Sequence, residues 1–256
     1  MTDTRGSTII DSFDSDREAI ISASHMNEAI EGFPEVAVVT FASQTIAVAR
    51  ERLNAVHISD MHRNTGLNVY CVGYKGKKIA LYYTGIGGPA AAGYMEDVIA
   101  KGARKFVFYG SCGVLNQEIV EKSLIVPTEA YRDEGTSYHY APPSTYIKVK
   151  TADRLASILE ELNIPHVCGR TWTTDAIYRE TRGNMKKRKD DGCLTVEMEC
   201  ASIMAAAQFR GVDCYQFLYA ADSLDALEWD SRTLGKLTDD HRVSFLRIAL
   251  EVAARV

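Results

Sequence analysis

The sequence predicts an α/β protein: a single domain in which a central mixed, mostly parallel twisted sheet is flanked by helices. Short runs rich in β-branched and aromatic residues alternate with amphipathic helical stretches, which is typical of this fold class. Two of these runs lead directly into glycine-rich turns. With 256 residues, 46% of them hydrophobic, the chain can form one large core. We expect residues 1–35 to be an N-terminal extension packed on a domain of residues 36–256.

The composition excludes several classes of protein. The net charge is −5, and the basic cluster at residues 186–189 is offset by Asp190 and Asp191, so nucleic acid is not an expected partner. Charged residues interrupt every apolar run, and the N-terminus lacks the layout of a secretory signal, so we expect no membrane association. The six cysteines form no Cys-x-x-Cys pair. We interpret them as buried free thiols of a cytoplasmic protein without a metal site.

The first predicted elements are strands around one helix. Residues 36–41 form a continuous apolar run, typical of a buried parallel strand, and residues 44–56 follow as a helix. Residues 67–74 and 78–83 alternate enough to be strands. Residues 74–77 between them have the composition of a hairpin turn.

The glycine-rich stretch at residues 84–89 is the first candidate site. It follows the strand at 78–83 and precedes a helix at 90–100, after which a strand at 105–109 runs into a second glycine turn at 110–113. A βαβ unit of this kind opens both turns on one edge of a parallel sheet. Glycine lets backbone N–H groups approach a ligand closely, and a helix N-terminus adds partial positive charge. The stretch therefore predicts a site for a small anionic or polar ligand.

The second half of the chain supplies the remaining elements. A polar loop is expected at residues 132–140. The periodicity predicts strands at 123–131, 167–174 and 214–221, and helices at 151–162, 185–191, 200–210 and 237–256.

A dinucleotide-binding oxidoreductase is one interpretation of the first glycine stretch. The pattern Gly85-x-Gly87-x-x-Ala90 after a strand satisfies the glycine fingerprint formally. That fingerprint also requires an acidic residue at the end of the next strand, where it binds a ribose hydroxyl. Residues 108–111, which end that strand here, contain no carboxylate. This departure argues against a nicotinamide cofactor.

Six motifs in a fixed order indicate a different class. They are His62-Arg63 and residues 84–89, 110–113, 132–139, 174–178 and 196–201. With these motifs the sequence resembles the purine/uridine nucleoside phosphorylase superfamily from about Val36 to the C-terminus. The resemblance implies a nucleoside phosphorylase-like fold and an enzyme that cleaves an N-glycosidic bond. Members of the family pass the sugar to phosphate or, in the nucleosidase branch, to water.

The Glu-Met-Glu motif at residues 197–199 is the candidate sugar site. Cleavage builds positive charge at the anomeric carbon, and a carboxylate both accepts hydrogen bonds from vicinal hydroxyls and favours that charge. The resemblance implies that Glu199 binds the sugar, that Met198 packs under it and that Glu197 lies near the base. The alternative is that Glu197 and Glu199 only interact with a helix dipole.

Asp222 is the candidate acid. It ends a predicted buried strand, where α/β proteins place ligands, and the resemblance implies an Asp that protonates or hydrogen-bonds the leaving base. A buried carboxyl with a raised pKa can do this at neutral pH. Arg232 is a candidate to tune Asp222. In the alternative, Asp222 is a turn residue before Ser223 and Arg232 is exposed.

The acceptor site departs from the family pattern. Ser111 and the backbone amides around Gly87 and Gly88 are expected to hold an anion. The family places two further phosphate-binding arginines, and this chain has Thr45 in the region of one and Tyr109 at the position of the other. Each lost charge-assisted hydrogen bond would remove about 1.5–3 kcal/mol of phosphate binding. The acceptor therefore stays open between phosphate, held differently, and water.

The remaining assignments follow from the resemblance. Arg63 matches an arginine that reaches a neighbouring subunit's phosphate, which implies a homo-oligomer built from dimers, up to a hexamer. Ile177 and Tyr178 fall beside the base, with Ile177 in place of the usual aromatic ring. His139 is a candidate ligand for the far end of the sugar, or a loop histidine bonded to the backbone.

These observations leave three functional hypotheses. The first is a nucleoside phosphorylase, with a purine or pyrimidine nucleoside and inorganic phosphate as substrates and no cofactor. Its close alternative is a nucleoside hydrolase, because two expected cations are missing. The other hypotheses are a non-catalytic nucleoside-binding protein and the dinucleotide oxidoreductase.

Overall fold

The computed structural model describes residues 8–61, 67–116, 118, 123–225 and 228–256. The strands are β1 (Val36–Thr40), β2 (Val56–Asp60), β3 (Asn68–Tyr74), β4 (Lys77–Tyr83), β5 (Lys105–Val114), β6 (Leu124–Asp133), β7 (Tyr146–Lys148), β8 (His166–Thr174), β9 (Cys193–Glu197) and β10 (Asp213–Ser223). The helices are α1 (Ala23–Met26), α2 (Ser43–Arg52), α3 (Gly88–Lys101), α4 (Ser137–Tyr140), α5 (Ala152–Glu161), α6 (Arg182–Asp190), α7 (Cys200–Arg210) and α8 (Asp239–Ala253).

The sheet has an open half and a closed half. β1 pairs in parallel with β4 and β5, and β3 and β2 extend the open half by antiparallel pairing. On the other side, β5, β10, β6, β8 and β9 form a closed ring, because β10 and β9 both pair with β5. The two longest ladders, β5–β10 and β6–β8, are parallel. The predicted mixed α/β sheet is confirmed, whereas its closure into a ring was not expected.

Apolar contacts with the sheet hold the helices in place. α3 packs against α7, and α2 packs against α8. Every residue of β1 is buried, as expected for a parallel strand covered on both faces. The largest fully buried side chains include Phe106, Phe108 and Phe217, which place the centre of the core beside β5 and β10.

The structure contains elements that the sequence did not predict, namely the strands β2, β7 and β9 and the short helices α1 and α4. Two predicted elements also differ in kind or extent. α2 ends at Arg52 rather than near residue 56, because Asn54 adopts a left-handed φ of 53° and the chain then enters β2. The expected turn at residues 110–113 is instead the last part of β5. Gly113 pairs with Asp222 on one side and with Val196 on the other. Hydrogen bonding to two neighbouring strands keeps this segment extended despite its two glycines.

The predicted hairpin is confirmed. β3 and β4 are joined by Lys75 and Gly76, whose φ angles of 49° and 76° are both positive, as a tight two-residue turn requires. The helix predicted at residues 200–210 is confirmed as α7, and Gly211 ends it with a left-handed φ of 73°.

Residues N-terminal to β1 contact the helices. Asn27 donates a side-chain hydrogen bond to Asp97 of α3 (2.7 Å), and the Ile30 N–H donates to the Lys101 carbonyl (3.0 Å). Phe13 meets Phe209 edge to face, with ring centroids 6.4 Å apart. In the described parts of the chain, no helix combines the length and apolar character that a bilayer span requires.

Candidate active site

A cavity of about 670 Å³ opens where β5, β9 and β10 meet. Its floor is the end of β5, where Gly113 leaves no side chain between the neighbouring strands. A Cβ at residue 113 would lie 2.6 Å from Leu224 and 3.0 Å from Val196, closer than packed carbon atoms approach. The glycine therefore lets the side chains of Leu224 and Val196 pack directly against the end of β5 in the cavity wall. The lining residues are Phe41, Ile86, Ser111, Cys112, Gly113, Ile177, Tyr178, Glu180, Arg182, Met185, Val196, Glu197, Met198, Glu199, Asp222, Leu224, Trp229 and Leu234.

Glu197 caps α7 from within the cavity wall. Its Oε2 accepts hydrogen bonds from the backbone N–H groups of Glu199 (2.8 Å) and Cys200 (2.7 Å), and its Oε1 accepts from the Thr173 hydroxyl (2.5 Å). Burial raises the pKa of Glu197, while these three hydrogen bonds oppose the rise by favouring the carboxylate. Glu197 thus interacts with the N-terminus of α7, as the alternative interpretation expects, and it also lines the cavity.

The Glu199 side chain hydrogen-bonds with the glycine loop before α3 and not with the first turn of α7. Its Oε1 accepts a hydrogen bond from the Gly87 N–H (2.6 Å), which joins the Glu-Met-Glu turn to the glycine loop before α3. The amide expected to hold the acceptor anion is thus bonded to a carboxylate, and Gly87 and Gly88 are not among the residues that line the cavity. Only 7% of Glu199 is exposed, and burial, together with the charge of Glu197, raises its pKa. A buried carboxylate with one oxygen fixed by a backbone amide is well placed to bind a polar ligand with the other.

The glycine loop fits closely against α7. Gly87 has a φ of 96°, and Gly88 begins α3 with Pro89 next to it. A Cβ at residue 88 would lie 2.1 Å from Ser202 Oγ and 2.8 Å from Ser202 Cβ. Since Ser202 is fully buried and donates a hydrogen bond to Glu134, it has little freedom to move.

We expect Gly88→Ala to lower the free energy of unfolding by about 1–3 kcal/mol, the usual cost of overpacking. Gly93→Ala is the matched control, because Gly93 lies on the same helix with open space around its Cβ position. That control is expected to raise stability by about 0.5–1 kcal/mol. Denaturant unfolding of both variants measures the difference, and equal stabilities would contradict the close fit.

Asp222 lies in the same cavity as Glu199 and Ser111. Its Oδ2 accepts a hydrogen bond from Trp229 Nε1 (2.8 Å). Burial raises its pKa, and the Trp229 hydrogen bond opposes the rise. Arg232 does not line the cavity. Its backbone N–H donates to Asp230 Oδ1 (3.0 Å), and its Nη1 is buried without a hydrogen-bond partner in the described residues.

The other predicted residues are placed as follows. Met198, Ile177 and Tyr178 line the cavity, with 95% of Tyr178 exposed at its mouth. His139 is exposed on α4 and is not part of the lining. Arg63 lies outside the described residues.

Two of the cavity residues that the sequence did not indicate interact with Asp222. Glu180 follows the short 3-10 turn at Ile177–Arg179, and burial, aided by the charge of Asp222, raises its pKa to about 7. Trp229 supplies the hydrogen bond to Asp222 for which the sequence suggested Arg232. Glu180 lies two residues after Tyr178, so its position next to a predicted base-binding pair could have indicated it. The approach of Trp229 instead depends on how the segment after β10 folds back.

The chain belongs to the phosphorylase superfamily, whose family model matches residues 35–256. It is 30% identical over 199 residues to a DeoD-type purine nucleoside phosphorylase of Alkaliphilus metalliredigens, which covers 73% of this chain and 81% of that protein. Over 190 residues it is 28% identical to a protein of the same name from an Exiguobacterium species, covering 72% of this chain and 78% of that protein.

A solved structure has the same fold. It is the purine nucleoside phosphorylase of Toxoplasma gondii in complex with immucillin-H, which superposes with a TM-score of 0.72 at 20% identity. The match covers 91% of this chain and 92% of that one. The family resemblance and fold class predicted from the six motifs are thereby confirmed.

Proposed function

We propose that this protein is a nucleoside phosphorylase that cleaves the N-glycosidic bond of a purine nucleoside and transfers the sugar to phosphate. The observation that carries the proposal is the placement of Glu199, Asp222 and Ser111 around one cavity. The relatives of the chain that are named purine nucleoside phosphorylase favour phosphate as the acceptor and a purine as the base.

The reaction breaks the bond between the anomeric carbon and the base nitrogen. The bonding electrons leave with the base, which takes a proton from Asp222, and a phosphate oxygen forms the new bond to the anomeric carbon. Positive charge develops on the sugar in the transition state, and the carboxylate of Glu199 stabilises it while binding the sugar hydroxyls. An interaction that strengthens as the charge develops lowers the barrier, rather than only the dissociation constant.

The surroundings of Asp222 suit a proton donor. Burial raises its pKa, so that it keeps its proton to a higher pH than an exposed Asp. The indole of Trp229 fixes one of its oxygens, which leaves the other for the base. Phe41 and Trp229 add aromatic surface to a cavity in which Ile177 replaces the family's ring.

Base release from a nucleoside panel tests this function. Purified protein is incubated with purine and pyrimidine nucleosides, with and without inorganic phosphate, and free base and sugar 1-phosphate are quantified. We expect purine release that depends on phosphate and yields one sugar 1-phosphate per base. Equal release without phosphate would identify a hydrolase, and binding without release would identify a non-catalytic nucleoside-binding protein. Either result would contradict the proposal.

We further propose that the enzyme acts in the cytoplasm as a homo-oligomer and uses no cofactor besides its co-substrate phosphate. Its six cysteines are unpaired, which suits a reducing compartment. β2 ends the open half of the sheet and exposes 64% of Val56 and 37% of Ile58. An edge strand with exposed apolar side chains is a natural contact for a second copy, and light scattering after gel filtration measures the subunit number.

A further inference from the structure

A second, smaller cavity lies beside the main one and shares Phe41 and Ser111 with it. Its volume of about 70 Å³ exceeds the space needed for one water several times over. Thr45 and Tyr109, the residues in place of the family's arginines, both line it. Its other lining residues are Thr40, Ala42, Gly110, Tyr219, Leu237, Arg242 and Phe245. Among the described residues, this wall contains hydroxyl groups and one cation but no carboxylate.

The cation is Arg242, in the first turn of α8. Its side chain is 14% exposed, and its ion pair with Asp239 is long, with 3.8 Å between Nε and Oδ1. The neighbouring Asp240 pairs with Arg52 instead (2.6 Å). Burial raises the pKa of Tyr219 to about 12, and the charge of Arg242 opposes this rise. Arg242 therefore places a positive charge, only weakly balanced by Asp239, in a cavity lined by several hydroxyl groups.

Two further observations indicate an anion. Tyr109 is only 3% exposed, and its hydroxyl has no partner of hydrogen-bond geometry among the described residues, although the hydroxyls of Thr40 and Thr45 are near enough to oppose the rise in its pKa. A buried polar group without a partner is costly unless a ligand or water supplies one. In addition, α2 begins at this cavity with Ala42 as its N-cap and no side-chain cap. Its first N–H groups and its dipole favour a negative charge there.

We propose that Arg242 is the charged ligand of the acceptor phosphate, which occupies the small cavity. This inference rests on the proposed phosphorylase activity for its substrate, but the anion site itself follows from the residues of this chain. Arg242 reaches the site from α8 and takes over the role of the cations absent at residues 45 and 109. Ser111, shared by both cavities, then lies between the phosphate and the nucleoside.

The test is phosphate binding by Arg242→Gln, measured by calorimetry with inorganic phosphate alone and by steady-state kinetics. We expect the dissociation constant and the KM for phosphate to rise about 10- to 150-fold, the effect of one charge-assisted hydrogen bond. The KM for nucleoside should change little. Arg242→Lys keeps the charge without the guanidinium geometry and should recover part of the loss.

Arg247→Gln is the matched control, because Arg247 is exposed on the same helix. It should leave phosphate binding unchanged, and unfolding midpoints of all three variants confirm that α8 is intact. Unchanged phosphate affinity in Arg242→Gln, or equal losses in the Arg247 control, would overturn the proposal. If the protein cleaves no nucleoside yet loses phosphate binding only in the Arg242 variants, the anion site stands and the proposed function fails.

Discussion

Glu199→Gln is expected to lower kcat/KM for the nucleoside by about 10²–10³-fold, the range seen when one fixed electrostatic contact to a transition state is removed. The amide has nearly the same shape as the carboxylate, and its oxygen can still accept the hydrogen bond from the Gly87 N–H. The variant should therefore fold normally, while the negative charge that stabilises the oxocarbenium-like sugar is gone. Steady-state kinetics at saturating phosphate measure the loss.

A substrate comparison separates this role from a general disturbance of the site. If Glu199 binds the vicinal hydroxyls, its carboxylate contacts the 2′-hydroxyl of the substrate. A 2′-deoxy substrate and the Glu199→Gln variant then weaken the same contact. Their effects should then be less than additive. Glu199→Gln should lose less activity on a 2′-deoxynucleoside than on the ribonucleoside. Full activity on the ribonucleoside would remove Glu199 from the mechanism.

Asp222→Asn is expected to lower kcat/KM for a purine nucleoside by about 10²–10⁴-fold, the usual contribution of a general acid. The amide cannot donate the acidic proton, although it can keep the hydrogen bond from Trp229 Nε1. A nucleoside whose base carries a methyl group and a positive charge, such as N7-methylguanosine, leaves without protonation. We expect that substrate to retain most of its activity in Asp222→Asn. A similar loss on both substrates would show that Asp222 is not the proton donor.

The pH profile gives an independent check. The mechanism needs Asp222 protonated and Glu199 ionised, and both carboxyl groups have raised pKa values. We therefore expect kcat/KM to rise with pH as Glu199 loses its proton and to fall with pH as Asp222 loses its proton. Asp222→Asn should lack this alkaline limb. Glu180, whose pKa is raised to about 7, titrates in the same cavity, so Glu180→Gln serves as the control that keeps the Asp222 limb. A profile unaltered by Asp222→Asn would contradict the assignment.

The local sequence pattern was sufficient to predict most of the longer helices and strands. The apolar run of β1, the tight turn between β3 and β4, and the glycine that closes α7 each depend on residues adjacent in the chain. The presence of Ser111 and Asp222 at one edge of the sheet could also be anticipated, because both follow predicted strands. Glu199 was placed with them by the family motif, since the strand before it, β9, was not predicted. Their catalytic roles stay predictions until the variants are measured.

Pairing between strands that are far apart in the chain could not be predicted from the local sequence pattern. Residues 110–113 have the composition of a turn, yet pairing of Gly113 with Asp222 and Val196 keeps them in β5. Neither partner can be identified from the local sequence. Arg242 was missed for the same reason, because it lies in a helix far along the chain from Thr45 and Tyr109. Because Thr45 and Tyr109 stand where the family has arginines, the sequence indicated that positive charge is missing from the acceptor site. Only the packing of α8 shows that Arg242 is near enough to supply it.

The cavity is lined partly by residues on the strands of the ring and partly by residues outside them, and we expect the two groups to tolerate substitution differently. Ser111, Gly113 and Asp222 sit on strands whose register is fixed on both edges, so a shift of one would displace the others. Ile177, Tyr178 and Trp229 lie outside the strands. We therefore expect new base preferences to arise by substitution of the residues outside the strands, while the proposed catalytic groups on the strands keep their spacing. Selection for a different substrate would act on these few side chains first.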